Sequence, residues 1–268
     1  TLPFQDSIPV LFWGRGCSHD THPLAELRRD GNVVFYADIL ATTLFSLSRW
    51  EESVVTERDE HGRFPAGSSV AYKQGFLDRP IVDEYALILR EWLKVLLPRW
   101  EPKQRSFSVQ LSHDVDHVRP FRDVMHATRS FAGDLLKRRS LQRACHTVQD
   151  VAAQLLVPDQ SSYARGIRFL AEISRENGLR NDVFYLMVQG PGPFGGGYDP
   201  ASPLVRKAIT DLKRQGFEIG LHGSYDSLDH PERLRIEKAR LEAVTGGPVR
   251  ATRQHYLRFT VPDTWRHV

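Results

Sequence analysis

The stretch SFSVQLSHDVDHV, residues 106–118, joins a strand-like pattern to a cluster of aspartates and histidines. Apolar and polar residues alternate over residues 106–112, which predicts a β-strand with two different faces. Residues two apart in a strand point the same way, so Asp114 and Asp116 are expected on one face and Val115 on the other. Two carboxylates at the end of a strand suit metal and proton chemistry, although D-x-D spacing is also common in polar turns.

Three more strand patterns follow along the chain and alternate with helical patterns. The predicted strands are residues 182–188, 217–221 and 248–257, and the predicted helices are residues 161–177, 203–215 and 231–245. The last helix is expected to begin at Asp229, because Glu232 follows three residues later as in a capping box. Strands that alternate with helices indicate an α/β fold with a parallel sheet or barrel.

The first part of the chain has a different pattern and offers no cluster of chemically reactive side chains. Helical spacing over residues 38–52 and 80–97 predicts two packing helices, the second with Pro80 at its start. Turn-forming residues separate these helices, and the linker PRWEPKQR follows them. We therefore expect a small α+β domain over residues 1–104 and an α/β domain over residues 105–268.

Composition and charge exclude several classes of protein. Hydrophobic residues make up 41% of the 268 residues and charged residues 26%, which is typical of a folded globular protein. The formal net charge of +3 does not indicate nucleic-acid binding, and no phosphate-binding glycine motif follows a strand. Cys17 and Cys145 lie far apart, so neither a disulfide framework nor a thiolate metal site is expected.

No targeting or membrane-spanning segment is evident in the sequence. No apolar run reaches the roughly 20 residues that span a bilayer, and the start TLPFQDSIPVLFW lacks the regions of a signal peptide. We expect a cytoplasmic protein without a transmembrane segment, with membrane association as the alternative. The first residue is Thr1 rather than methionine, so truncation at the N-terminus is part of this expectation.

A long connection lies between the first and second predicted strands. It contains the basic stretch KRRSLQR, residues 137–143, and is roughly twice as long as an ordinary crossover between parallel strands. We interpret it as a solvated helical insertion. The alternative is a docking surface for an anionic lipid or a glycan carrier.

Polar side chains also follow the third and fourth predicted strands. His222 comes directly after residues 217–221, at the carboxyl end where α/β barrels build their sites. Arg253 and His255 are two residues apart and share a face of the fourth strand, where the arginine can orient an ionised aspartate. Taken alone, His222 is explained as a loop histidine bonded to backbone, and Arg253 as part of a surface salt bridge. Polar groups at the same end of three strands favour a functional site.

Three phrases of the sequence, LSHDVDH, EIGLHGSY and RQHYLRF, resemble motifs of the polysaccharide deacetylases of carbohydrate esterase family 4. The resemblance covers about residues 106–265 and is greatest to a bacterial subgroup with an extra N-terminal domain. It implies a distorted (β/α) barrel of the polysaccharide deacetylase type, which is incomplete because only four strand patterns are present. It also implies one divalent metal, usually zinc, and the removal of N-acetyl groups from a bacterial surface polysaccharide or its precursor.

The resemblance assigns catalytic roles to three residues. Asp114 corresponds to the catalytic base, and Arg253 to the arginine that orients this base. The backbone N–H of Tyr256 corresponds to a donor that stabilises the oxyanion of the reaction. The family has a general-acid histidine on a later strand, which these 268 residues do not contain. We therefore expect this chain to be a fragment, weakly active or inactive alone.

The resemblance also implies a set of metal ligands. Asp116 and His222 correspond to two of them, and Asp226 stands four residues after His222, where the family has a second histidine. Aspartate is an established zinc ligand, so Asp226 is our first choice for the third position. His113 and His255 are the alternatives.

Contact with an N-acetylated glycan substrate is expected from His113, His255 and Tyr198. Tyr198 belongs to the aromatic and glycine-rich loop PGPFGGGYDP, which is either a lip that stacks against a sugar ring or a flexible connection without ligand contact. Two other functions stay open: hydrolysis of another linear amide, and carbohydrate binding without catalysis. Nothing in the sequence specifies an oligomeric state.

Overall fold

The computed structural model describes residues 7–179, 181–188 and 197–268. The chain divides into two compact units. The first comprises Thr1–Phe107 and Thr260–Asp263, and the second comprises Ser108–Phe259 and Thr264–Val268. The expected boundary after residue 104 lies three residues before the observed one, and residues 260–263 were not expected in the first unit.

The first unit contains a two-stranded antiparallel sheet and several helices. Its strands are β1 (Ala25–Leu27) and β2 (Val33–Phe35), and its helices are α1 (Ile39–Leu47), α2 (Trp50–Val54), α3 (Val70–Lys73) and α4 (Ile81–Leu96). The helical pattern predicted over residues 38–52 is interrupted at Arg49, whose backbone is left-handed with φ 52°. α1 begins after Asp38, whose carboxylate accepts a hydrogen bond from the N–H of Ala41.

The second unit is an α/β structure with a four-stranded parallel sheet that curls into half a barrel. Its strands, hydrogen-bonded in chain order, are β3 (Ser112–Val115), β4 (Val183–Met187), β5 (Glu218–Gly223) and β6 (Thr252–Gln254). Its helices are α5 (Val124–Ala132), α6 (Leu141–Leu156), α7 (Ser162–Glu176), α8 (Pro203–Arg214) and α9 (Pro231–Thr245). The predicted α/β class is confirmed, and the curled sheet is consistent with an incomplete barrel.

The two outer strands of this sheet differ from their predicted ranges. β3 pairs with β4 only from Ser112 to Val115, whereas the alternating pattern predicted a strand over residues 106–112. Phe107, an apolar residue of that pattern, is 92% exposed. β6 has only three residues because the chain turns into a 3-10 helix at His255–Leu257. Alternation alone therefore misplaced strand bounds that depend on a hydrogen-bonding neighbour.

The two faces of the parallel sheet differ in polarity, because successive residues of a strand point to opposite faces. Residues on one face are buried and pack with apolar side chains of α7, α8 and α9: Val115, Phe184, Leu186, Ile219 and Leu221. Residues on the other face include polar and aromatic side chains: Ser112, Asp114, Tyr185, His222 and Arg253. Each large apolar side chain buried under the helices contributes about 1.5–3 kcal/mol, so the first face anchors the unit and the second is available for chemistry.

The helices that follow the strands lie within two residues of their predicted ranges. The start of α9 differs in detail: its N-cap is His230, which makes no side-chain capping bond, rather than the predicted Asp229. The Asp229 carboxylate instead pairs with the buried guanidinium of Arg258 at 3.0 Å. Across the described ranges, no helix combines the length and apolar character needed to cross a bilayer.

Candidate metal centre

The carboxyl ends of the parallel strands bring one carboxylate and two imidazoles together. Asp116 directly follows β3, His222 is the fifth residue of β5, and His255 directly follows β6. Asp116 Oδ1 lies 3.2 Å from His222 Nε2 and 3.9 Å from His255 Nδ1, and the two histidine nitrogens are 3.1 Å apart. We call these three residues the Asp–His–His cluster.

A hydrogen bond fixes the orientation of the His222 ring. Its Nδ1 lies 2.9 Å from the backbone carbonyl oxygen of Arg253. A carbonyl oxygen only accepts, so Nδ1 carries a proton, and in the neutral imidazole Nε2 then presents its lone pair to the cluster. This is the arrangement that ligating histidines show in metal sites.

Asp116 Oδ1 is buried and has no hydrogen-bond donor among the described residues. Its closest neighbour in the cluster is His222 Nε2, which donates to it only if that imidazole is doubly protonated. If His222 is neutral, the lone pairs of Asp116 Oδ1 and His222 Nε2 face each other away from solvent, which is unfavourable without a cation between them. The cluster therefore needs either an extra proton or a metal ion.

The protonation states of the cluster favour metal binding. A protonated His222, which donates from Nε2, holds the pKa of Asp116 below its usual range, against the opposing effect of partial burial. Burial, together with the neighbouring His222, lowers the pKa of His255. At neutral pH Asp116 is therefore ionised and His255 is neutral, and these are the forms that coordinate a metal.

The kind and spacing of the donor atoms fit zinc. Two imidazoles and one carboxylate are typical of transition-metal sites, whereas magnesium and calcium prefer oxygen ligands alone. Donors around a tetrahedral zinc with bonds of about 2.0–2.1 Å are about 3.3 Å apart. The observed separations of 3.1, 3.2 and 3.9 Å bracket that value. Three protein ligands are also the usual number in a catalytic zinc site.

Asp114 lies outside the Asp–His–His cluster and is held by Arg253. The guanidinium donates from Nη1 to Asp114 Oδ1 at 2.8 Å and from Nη2 to Ser112 Oγ at 2.7 Å. The two charged side chains are 37% and 33% exposed, so solvent and substrate can reach them. Such an ion pair contributes only about 0–1 kcal/mol to stability. Its main effect is to fix the orientation of the Asp114 carboxylate.

Tyr185, which was not expected in the site, supports the guanidinium of Arg253, and Gly220 leaves room for its ring. The Tyr185 ring centroid lies 4.6 Å from Cζ of Arg253, which is a cation–π contact. The ring occupies space that exists because Gly220 has no side chain: a Cβ there would lie 2.5 Å from Tyr185 Cδ1. A glycine inside a strand often marks such a close approach, and this was the available signal in the sequence.

A buried polar network fixes the backbone that follows His222. The N–H of Ser224 donates to Glu237 Oε2 at 3.0 Å, and Ser227 Oγ lies 3.0 Å from Gln254 Oε1. Burial raises the pKa of Glu237 above its ordinary value of 4.5. The network connects β5, β6 and α9 close to His222 and His255, and no sequence motif indicated it.

Asp226, the first choice for the third metal ligand, is not part of the cluster. Its Oδ2 accepts a hydrogen bond from Nη1 of Arg233, in the first turn of α9, at 3.0 Å, and this arginine neutralises the carboxylate. Asp226 lies in the 3-10 turn Tyr225–Ser227, beyond the end of β5, which contains His222. The alternative ligand, His255, takes the third position.

Two residues expected to contact substrate pack in the interior instead. His113 lies on the helix-covered face of β3, with its ring centroid 4.6 Å from that of Phe184, and burial lowers its pKa. The Tyr198 hydroxyl donates to the carbonyl oxygen of Val115 at 2.9 Å, and burial raises its pKa. Residues 191–196, six of the ten residues of the loop PGPFGGGYDP, lie outside the described residues.

Tyr256 lies beside the Asp–His–His cluster. Its ring centroid is 4.8 Å from that of His255 and 5.3 Å from that of Tyr225. Tyr256 and Leu257 both have left-handed backbones, with φ of 58° and 56°. This conformation costs about 1–2 kcal/mol per non-glycine residue and is found preferentially at functional sites. The turn places aromatic surface next to His255.

One protein family matches part of the chain. Residues 4–98 match a family of unknown function (DUF7033). This range lies within the first unit and does not include the Asp–His–His cluster. No curated protein and no solved structure matches the chain. The chemistry of the cluster therefore has to be inferred from its own geometry.

Proposed function

We propose that this protein is a metal-dependent hydrolase of the polysaccharide deacetylase type. The proposed reaction removes N-acetyl groups from a bacterial surface polysaccharide or its precursor. The observation that carries the proposal is the Asp–His–His cluster beside the Asp114–Arg253 pair at the carboxyl end of one parallel sheet. The three motifs that resemble the family supply all of these residues.

The two aspartates of the motif LSHDVDH have different roles in this proposal. Asp116, with His222 and His255, would hold the metal, and zinc fits these donors best. A bound zinc supplies Lewis acidity toward the acetamide carbonyl and lowers the pKa of water at the site. Asp114 is the general base that takes the proton of the attacking water, and Arg253 keeps the Asp114 carboxylate aimed at it.

The surroundings of the cluster suit a sugar substrate. Tyr256 and Tyr225 form an edge-to-face aromatic pair next to His255, and aromatic rings provide flat apolar surface for a sugar ring. The backbone N–H of Tyr256 would donate to the developing oxyanion, as the resemblance implies. The left-handed turn at this residue is the structural feature that would aim the N–H.

The proposal is tested by acetate release from N-acetylated oligosaccharides. Acetate release, however weak, should follow zinc content and stop after chelation. Asp114→Asn should lower the rate about 10²–10⁴-fold without loss of zinc, because it removes a general base and no ligand. Asp211→Asn, which changes an aspartate paired with Lys207 on α8, is the matched control and should leave the rate unchanged.

Other outcomes would identify the alternative functions. Zinc binding and glycan binding without acetate release would indicate a carbohydrate-binding protein. Cleavage of other linear amides, with N-acetylated sugars left intact, would indicate a related hydrolase. A protein that takes up no zinc from a zinc-containing buffer would contradict the proposal as a whole.

A further inference from the structure

The connection between β3 and β4 folds as a helical hairpin outside the Asp–His–His cluster. α5 is continued by a π-helical segment, Gly133–Lys137, and α6 packs against it in the antiparallel direction. Phe121, just before α5, exchanges two hydrogen bonds with the side chain of Gln154, near the end of α6. At the other end of the pair, Asp134 accepts a hydrogen bond from Thr147 at 2.8 Å.

The hairpin carries apolar side chains on a solvent-exposed side. Leu141, Val148 and Leu155 follow one another at seven-residue intervals along α6, and they are 76%, 55% and 73% exposed. Val124 and Phe131 show the same interval on α5 and are also exposed. Asp134 and Thr147 contact each other and so mark the sides of the two helices that face one another. Counted from these two residues along their helices, all five apolar residues fall on one side of the hairpin. We call these five residues the apolar stripe.

The charges of the hairpin are predominantly positive. The turn between the helices carries Lys137, Arg138 and Arg139, which we call the basic tip. The carboxylates of the hairpin are all engaged: Asp123 caps α5, Asp134 pairs with Arg138, and Asp150 accepts hydrogen bonds from Ser162. Residues 123–156 contain five lysines and arginines against these three aspartates, so the hairpin has a formal net charge of +2.

The pattern of charge argues against a second helix as the occupant of the apolar stripe. Coiled-coil partners are selected by charged residues that flank the apolar seam. The flanking positions next to Leu141 and Val148 are Gln142 and Gln149, which are uncharged. An exposed apolar stripe together with an excess of basic residues is typical of helices that lie in a membrane interface.

We propose that this hairpin docks on the surface of an anionic phospholipid bilayer. The apolar stripe enters the interfacial region, and the long side chains of the basic tip reach the lipid phosphates. Docking of this kind would bring the enzyme to a membrane where lipid-linked glycans are held. The binding surface itself is independent of the metal ligands, so the inference does not rest on the proposed hydrolysis.

Vesicle flotation tests this inference directly. The protein should float with vesicles of phosphatidylglycerol and phosphatidylcholine, and much less with phosphatidylcholine alone. Leu155→Asp should weaken binding at least about tenfold, because it places a charge in the stripe. Ile236→Asp, which changes an aliphatic residue exposed to a similar degree on α9, is the matched control and should bind like the parent.

A second variant separates lipid binding from misfolding. Lys137→Gln combined with Arg139→Gln leaves the stripe intact, and loss of two charges should weaken binding about 25-fold, at roughly fivefold per charge. Absence of flotation of the parent protein would overturn the inference, as would Leu155→Asp binding equal to that of Ile236→Asp. A soluble dimer that Leu155→Asp dissociates, without any flotation of the parent, would show instead that a second copy covers the stripe.

Discussion

At the scale of single residues, Arg253 positions two parts of the candidate site through different atoms. Its carbonyl oxygen accepts the hydrogen bond from His222 Nδ1, and its guanidinium binds Asp114. The first contact belongs to the backbone and survives a change of side chain. The second belongs to the side chain alone, so the two effects can be separated by substitution.

Arg253→Ala should lower acetate release about as much as Asp114→Asn, on the order of 10²-fold or more, because the proposed general base, Asp114, loses its orientation. Zinc affinity should change little, because the carbonyl that orients His222 is retained. Rates and zinc titrations of the single and double variants check this, and the double variant should be no slower than the slower single one. Arg233→Ala, which frees Asp226 instead, serves as the control.

The choice between Asp226 and His255 as the third ligand is also decided by single substitutions. His255→Ala should abolish stoichiometric zinc binding, because it removes one of three converging donors. Asp226→Ala should retain it, because that carboxylate is paired with Arg233. Metal content after dialysis is the measurement. Full zinc content in His255→Ala together with loss in Asp226→Ala would contradict the assignment.

At the scale of elements, close approaches between neighbouring strands determine which residues fit. Gly220 of β5 leaves space for the Tyr185 ring of β4, and that ring supports the guanidinium of Arg253 on β6. Three strands therefore have to be in register before Asp114 is oriented. A methyl group added at Gly220 is enough to disturb these contacts.

Gly220→Ala should destabilise the protein by about 1–3 kcal/mol, because the new Cβ would overlap the Tyr185 ring and overpacking has this cost. The displaced ring should also lower activity, with zinc content unchanged. Gly166→Ala in α7 is the matched control: a Cβ there meets nothing within 4 Å, and helical alanine should stabilise by about 0.5–1 kcal/mol. Denaturant unfolding of both variants measures the difference.

The buried carboxyl of Glu237 makes the junction of β5 and α9 sensitive to pH. Its pKa is raised in the folded protein, so folding favours the protonated form. The associated stability is fully present below the unfolded value near 4.5 and is lost as pH rises through the folded pKa. Glu237→Gln, which keeps an acceptor for the N–H of Ser224, should therefore gain stability relative to the parent between pH 4 and pH 7. Unfolding curves at several pH values test whether the stability of the variant relative to the parent rises with pH. The opposite trend would show that attraction of Glu237 to Arg233 and Arg240 outweighs the effect of burial.

At the scale of the whole molecule, the two compact units differ in chemistry. The match to a family of unknown function lies in the first unit, and the Asp–His–His cluster lies in the second. The cluster joins residues that follow β3 and β6 to a residue within β5. A ligand bound there links the two outer strands of the sheet, so its effect should extend through the second unit.

Zinc should stabilise the second unit selectively. A ligand present at 100 times its Kd stabilises the state that binds it by about 2.7 kcal/mol. Hydrogen exchange of backbone amides in β5 and β6 should slow when zinc is added, while exchange in α4 of the first unit should not. His255→Ala should remove the zinc effect. Equal slowing in both units would indicate nonspecific binding or fully cooperative unfolding.

The sequence by itself determined the α/β class and the strand ends at which polar residues appear. Alternation of strand and helix patterns is a local property, so it could be read along the chain without knowledge of neighbours. The helices predicted over residues 161–177, 203–215 and 231–245, and the position of His222 at the end of β5, followed from this. The expectation of metal chemistry also came from the motifs, and it stays a prediction to be tested by metal analysis.

Only the tertiary structure decided which polar groups meet. His255 rather than Asp226 joins Asp116 and His222, because strand register brings β6 next to β5 while Arg233 neutralises Asp226. Register likewise places the His113 ring against Phe184 and lets Tyr185 reach Arg253. These contacts join residues that are tens of positions apart in the chain. Hydrophobic periodicity specifies which face a residue occupies on its own element, but the partner across the sheet depends on pairing that no local pattern encodes.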